Sequence, residues 1–210
     1  PYGEDKVFDM LQIRPIVDSP SNRSLDWDQV DTSGALIYAE SALGLGAIEG
    51  VTDVVYIRPD RFDTAHTQQM ADEVNRLNTE LRDQKRSYVL VGPGRWGSSD
   101  PWLGVPVKWP HISEAKVIVE CGLDNFRVEP SQGTHFFQNL TSFGVGYLTI
   151  NPFQGDGRFD IAQLDTQPAL YESAYVRHVR FPEPLYIFVD GRKNRAIIRP
   201  ALEKALTRLA

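Results

Sequence analysis

VTDVVYIRPDRFDTAHTQQMADEVNRLNTELRDQKRSYVLVGPG, residues 51–94, decides the fold class. It opens on a strand-like run, VTDVVYIRP, whose branched residues suit a pleated, half-buried surface. The middle repeats at helical spacing. Met70, Val74, Leu77 and Leu81 fall at i, i+4, i+7 and i+11, which puts one apolar stripe on a helix over 64–84. Asp63 or Thr64 is placed to cap it. SYVLVGPG closes the stretch as a buried strand that runs into a glycine turn.

Outward from this unit the pattern continues. ALIYAE (35–40), AKVIVE (115–120) and VGYLTIN (145–151) read as strands, and HFFQNLTSF (135–143) as a short helix. The C-terminal part reads as a hairpin, LYIFVDGRKNRAIIRP, turned at Asp190-Gly191, followed by a helix, ALEKALTRL. KVFDMLQIRPIV (6–17) reads as a strand that ends near an edge, because of Pro15. The polar, turn-rich 18–33 is the expected linker. Strands alternating with few helices indicate an α/β or α+β layered domain. Residues 152–210 read as a C-terminal hairpin and helix extension, either a subdomain or further strands of the same sheet.

Bulk composition narrows the function. The 210 residues allow one large domain or a medium one with appendages, and 41% hydrophobic with 24% charged residues is ordinary for a globular protein. A net charge of −6 argues against a general nucleic-acid binder. No apolar run approaches the ~18–20 residues of a membrane span. The single cysteine, Cys121, allows neither an internal disulfide nor a cysteine-based zinc site, so a reducing, cytoplasmic setting is expected. PYGEDKVFD carries no leader pattern and reads as a continuation of something upstream.

Three motifs could carry chemistry. In LQIRP (11–15), Gln12 and Arg14 share one face of a strand, where an amide and a guanidinium can meet a metal-bound phosphate. VGPGRWGSSDPWLGVP (91–106) is neither a Walker loop nor a dinucleotide fingerprint. Its Gly92, Gly94, Arg95, Gly97, Ser98 and Ser99 could present amides and a guanidinium to an anion. Equally, it could be a structured turn in which Trp96 and Trp102 plug a groove. SQGTHFFQNL (131–140) places Gly133, Thr134 and His135 at a helix start. A neutral imidazole there would be nucleophilic, and the helix N-terminus would favour a phosphoryl group. The competing reading is a packed histidine beside Phe136 and Phe137. His66 reads as a surface residue, His111 as a loop residue, and His178, alternating with Arg177 and Arg180, as part of a solvated face.

Taken in order, these segments resemble the phosphoenolpyruvate synthase and pyruvate phosphate dikinase family. LQIRP is similar to the LQ-x-RP end of its ATP-grasp domain. SALGLGAIEGVTDVVYI and ISEAKVIVECGLDNFRVEPSQGTHFFQNLTSFGVGYLTIN resemble its swivelling phosphohistidine domain. The resemblance covers roughly 6–17 and 34–150. It implies the closing strand of an ATP-grasp domain at 1–17, a linker at 18–33, and a layered β/β/α swivelling-domain-like sandwich at 34–151. It further implies ATP and Mg2+ held through the upstream domain, with Gln12 near the metal and Arg14 near the phosphates. His135 takes the phosphohistidine position; in such a transfer Arg95 and Arg127 would neutralise charge, and a small molecule would accept the phosphoryl group. The departures are specific. The serine before the family histidine is missing, Phe136 and Phe137 replace small residues, the loop before the histidine is longer and carries Arg127 and Glu129, and the family's pyruvate barrel has no counterpart in the chain. A non-catalytic ligand-binding or docking module of the same lineage therefore stands as the alternative. An exposed edge strand at the hairpin would allow a homodimer.

Overall fold

The computed structural model describes residues 25–100, 102–124, 127–129 and 144–201. In chain order the first strands are β1 (Ile37–Ala39), β2 (Ser41–Leu43), β3 (Leu45–Ile48) and β4 (Asp53–Ile57). Helix α1 (Thr67–Asp83) is followed by β5 (Tyr88–Pro93), β6 (Arg95–Trp96), β7 (Gly104–Val105), β8 (Ala115–Cys121) and β9 (Gly146–Ile150). Then come β10 (Arg158–Phe159), helix α2 (Ile161–Asp165), β11 (Ala169–Glu172), β12 (Val176–Arg180), β13 (Tyr186–Asp190) and β14 (Arg195–Arg199). The molecule is mixed α/β and mostly strand.

A seven-stranded sheet runs in the order β11-β12-β4-β5-β8-β9-β2, and a five-stranded sheet in the order β10-β1-β14-β13-β3. In the first, β4, β5, β8 and β9 are parallel neighbours, while β12 and β2 flank them antiparallel. Successive side chains on these strands leave on opposite faces. Val54, Val89, Val117 and Leu148 pack with Ile187, Val189 and Ile198 of the five-stranded sheet. Val55, Leu90, Ile118 and Tyr147 pack on the other side with Met70, Val74, Leu77 and Leu81 of α1. Both faces are covered, which is why β4 and β5 are unbroken apolar runs apart from Asp53 and Gly92.

The helical spacing is realised in full. Its four stripe residues are no more than 1% exposed, and Asp63 accepts a hydrogen bond from the Ala65 amide at the helix entrance. Asn78, buried on the same face, accepts from the Tyr88 hydroxyl and the Glu114 amide and donates to the Pro110 carbonyl. One amide side chain thus ties α1 to β5 and to the turn before β8.

Other expectations need correction. The chain crosses between sheets twice in a dozen residues, from β1 to β2 and on to β3. Gly44, at φ +122°, makes the second crossing within 3.2 Å of the Gly146 Cα for any added Cβ. Among the described residues after 152, the strands are divided between the two sheets: β10, β13 and β14 join one, and β11 and β12 the other. Both strands of the 186–199 hairpin lie inside the five-stranded sheet, so neither is the free edge expected for pairing. Its turn spans four residues between Asp190 and Arg195, with Asn194 in the left-handed region; Gly191 instead allows close contact with the Gly44 carbonyl. Residues 25–33, the second half of the expected linker, lie on this sheet's outer face. There Trp27 packs on Phe188 and Ile197, and its indole donates to Asp190. The strand expected at 6–17, the helix expected at 135–143 and, beyond Ala201, the helix expected at 201–209 fall outside the described residues.

Candidate functional site

Because β4, β5, β8 and β9 are parallel, their carboxyl ends share one edge, where open α/β sheets gather their binding loops. Residues 58–66, 94–100, 102–105, 122–124, 127–129 and 151–157 converge there. Gly92, Gly94, Arg95, Gly97, Ser98, Ser99 and Arg127 lie at this edge. Gln12, Arg14, Gly133, Thr134 and His135 lie outside the described residues.

The glycine motif folds into a two-stranded ribbon, β6 with β7. Each glycine has a steric reason. A Cβ on Gly92 would sit 2.3 Å from the Trp96 ring, and one on Gly104 would sit 1.9 Å from the Arg95 carbonyl oxygen. Gly94 and Gly97 adopt φ of +73° and +82°. The amides of Gly94, Arg95 and Gly97 donate to the carbonyls of Cys121, Leu103 and Val105, and the Trp96 amide donates to the buried Glu120 carboxylate. Four donors suited to an anion are therefore engaged within the fold. Trp96 is the expected plug, 3% exposed, with its indole N–H on the Val119 carbonyl. Trp102 is not, at 73% exposed. Ser98 forms a local turn with Asp100, and Ser99 is exposed.

The two arginines chosen from the sequence do meet. Arg95 donates to the Glu129 carbonyl at 3.4 Å, and Arg127 to the Glu129 carboxylate at 3.2 Å. Arg127 also reaches Gln154 at 3.1 Å and Asp156 at 3.2 Å. Behind them is a residue that the sequence reading missed. Asn151, 2% exposed, accepts from the Val128 amide and donates to the Val128 carbonyl, holding the 127–129 strip against the end of β9. An asparagine after a buried strand is an ordinary turn signal, so nothing in the sequence set it apart.

Beside this corner lies a cleft of about 790 Å3, and next to that a smaller one of about 430 Å3; Phe62 and Leu123 border both. Phe153, Phe159 and Ile161 form much of the larger cleft's apolar wall. Two of its polar lining residues, Arg58 and Asp165, belong to a larger network. The Tyr56 hydroxyl donates to Asp165 and accepts from Arg177, which also pairs with Asp165 and Glu172, while Arg58 pairs with Glu172. Burial pushes the Tyr56 hydroxyl up to about 12, with nearby Arg177 opposing and Asp165 reinforcing the shift. Cys121, at the cleft floor, is likewise pushed up to about 12 by burial, so it is no thiolate nucleophile at neutral pH.

At the opposite edge, Asp53 is fully buried at the start of β4. It receives His178 Nε2 at 2.8 Å, Arg86 Nη2 at 2.7 Å and Arg180 Nε at 2.8 Å. Burial works to raise its pKa, but hydrogen bonds from His178, Arg86, Thr52 and Arg180 outweigh it and hold the carboxyl well below the usual range. His178 is therefore a buried partner, not a member of a solvated face. His66 is half-exposed, bonded to Asp63 and stacked on Tyr175; His111 accepts from the Lys108 amide in a 3-10 turn. No protein-family model matches the chain, and neither a curated protein nor a solved structure matches it. Among the described residues, no group of three or more His, Cys, Asp or Glu side chains is placed to hold a metal, and no helix is long and apolar enough to cross a membrane.

Proposed function

We propose that this chain is the phosphoryl-handling part of an ATP-dependent phosphotransferase similar to the phosphoenolpyruvate synthases and pyruvate phosphate dikinases. His135 is its phosphoryl carrier. The observation that carries the reading is the meeting of Arg95 and Arg127 at Glu129, on the edge where β5 and β8 end. Residues 122–145 join β8 to β9, so His135 belongs to the connection on which Arg127 is fixed. Two guanidiniums beside a transferring phosphoryl group supply the charge neutralisation that such chemistry needs. A helix on one face of the mixed sheet and an antiparallel sheet on the other support a β/β/α sandwich of the swivelling type. In this reading ATP and Mg2+ bind an ATP-grasp domain upstream, through Gln12 and Arg14, in a cytoplasmic enzyme. An imidazole nitrogen of His135 attacks phosphorus as the bond to the nucleotide oxygen breaks. The acceptor's oxygen then takes the phosphoryl group from the ring.

The test is to incubate the natural polypeptide that contains this sequence with β- and γ-labelled ATP. An acid-labile phosphoprotein should form, be lost in His135→Ala, and fall at least about tenfold in Arg127→Ala. Equal labelling in His135→Ala overturns the assignment. The engaged amides of the ribbon, together with the exposed Trp102 and Phe153, favour a second reading, a non-catalytic module that binds a ligand or docks a domain at the same edge.

A further inference from the structure

The larger cleft is a roomy recess, and the phosphoryl chemistry above uses none of its walls. Its volume, about 790 Å3, falls in the range that encloses a drug-sized molecule. One wall is aromatic and aliphatic: Phe62 and Leu123 from the ends of β4 and β8, Phe153 from the turn after β9, and Phe159 and Ile161 from the β10–α2 corner. Phe153 is 58% exposed. Large aromatics left open on a concave surface mark sites of contact.

Charge decides what fits. Among the described residues, Asp60, Asp124 and Asp165 line the cleft, whereas Arg58 is the only cation to do so. Arg58 is already paired with Glu172 and Asp60, Arg61 with Asp60, and Arg177 with Asp165 and Glu172. Four carboxylates thus face three guanidiniums. Asp124 holds the surplus: it is exposed and has no ion-pair partner among the described residues. A phosphate or carboxylate entering here would meet unbalanced negative charge. An ammonium group would meet a carboxylate and phenylalanine rings, both of which attract cations.

We infer that this cleft binds a small organic cation with an aromatic or branched apolar body, seated between Asp124 and Phe153. The apolar body covers Phe62, Phe153 and Ile161, and the ammonium group lies toward Asp124. This assignment stands apart from any role of His135, and its test leaves that residue untouched.

Titration calorimetry with naphthylethylamine, naphthylethanol and naphthylacetate, three probes of similar size and different charge, decides it. The amine should bind saturably, one per chain, and at least about ten times more tightly than the carboxylate, with the alcohol between them. Asp124→Asn should bring the amine close to the alcohol, and Phe153→Ala should weaken amine and alcohol alike. Both side chains are exposed, so thermal unfolding should be nearly unchanged in each variant, and that measurement accompanies the titrations. The inference is overturned if the carboxylate binds as tightly as the amine, if no probe saturates, or if neither substitution changes amine binding.

Discussion

The two edges of the parallel strands treat charge in opposite ways. At the amino edge, Asp53 is fully buried and receives donors from two arginines, a histidine and a threonine. At the carboxyl edge, Asp124 is exposed, and Phe153 and Trp102 stand open beside two clefts. A buried carboxylate persists only when its lone pairs are satisfied, so the first arrangement closes the sheet. The second leaves polar and apolar surface available to something else. The amino edge is sealed by its own charges, and the carboxyl edge is open.

Breaking the closed end should cost most. Asp53→Ala strips Arg86, His178 and Arg180 of their shared acceptor and should destabilise the fold by about 3–5 kcal/mol in chemical denaturation. Trp96→Ala, which empties the space above Gly92, should cost about 3 kcal/mol. Gly94→Ala forces a left-handed φ of +73° and a contact of 2.6 Å with the Leu103 carbonyl, and should cost roughly 1–3 kcal/mol.

The two edges should also separate by pH. Asp53 has a folded pKa below its ordinary value of 3.8, so its contribution is fully present above that value and is lost as pH falls below it. Tyr56 has a folded value raised from 10.0 to about 12, so its contribution is present below 10.0 and is lost as pH rises toward 12. Midpoints of unfolding measured across pH should therefore show an acid limb flattened by Asp53→Asn and an alkaline limb flattened by Tyr56→Phe. The smallest effect belongs to the open end. Trp102→Ala should change stability by less than about 0.5 kcal/mol, and a loss comparable to that of Trp96→Ala would mean that Trp102 is structural.

Legibility followed range. The α1 stripe and the runs that became β4, β5, β8 and β9 were readable because their periodicity is set by neighbours a few residues away. Arg95 and Arg127 were chosen for their chemistry, and the fold brought them to one residue. The cleft was not readable. Its walls come from the ends of β4, β8 and β9 and from α2, and Phe62, Asp124 and Phe153 carry no local pattern. His178 was misread for the same reason. Alternation with arginines suggests a wet face, yet antiparallel pairing of β12 with β4 sets it beside Asp53.

By itself the sequence determined the local elements: one amphipathic helix and several buried strands. Tertiary structure alone decided which sheet each strand joined, that residues 158–199 supply strands to both sheets, and that one edge is sealed while the other is open. Strand pairing joins segments more than a hundred residues apart, as β4 with β12. The burial of any one side chain then depends on a partner that its own neighbourhood in the chain does not encode.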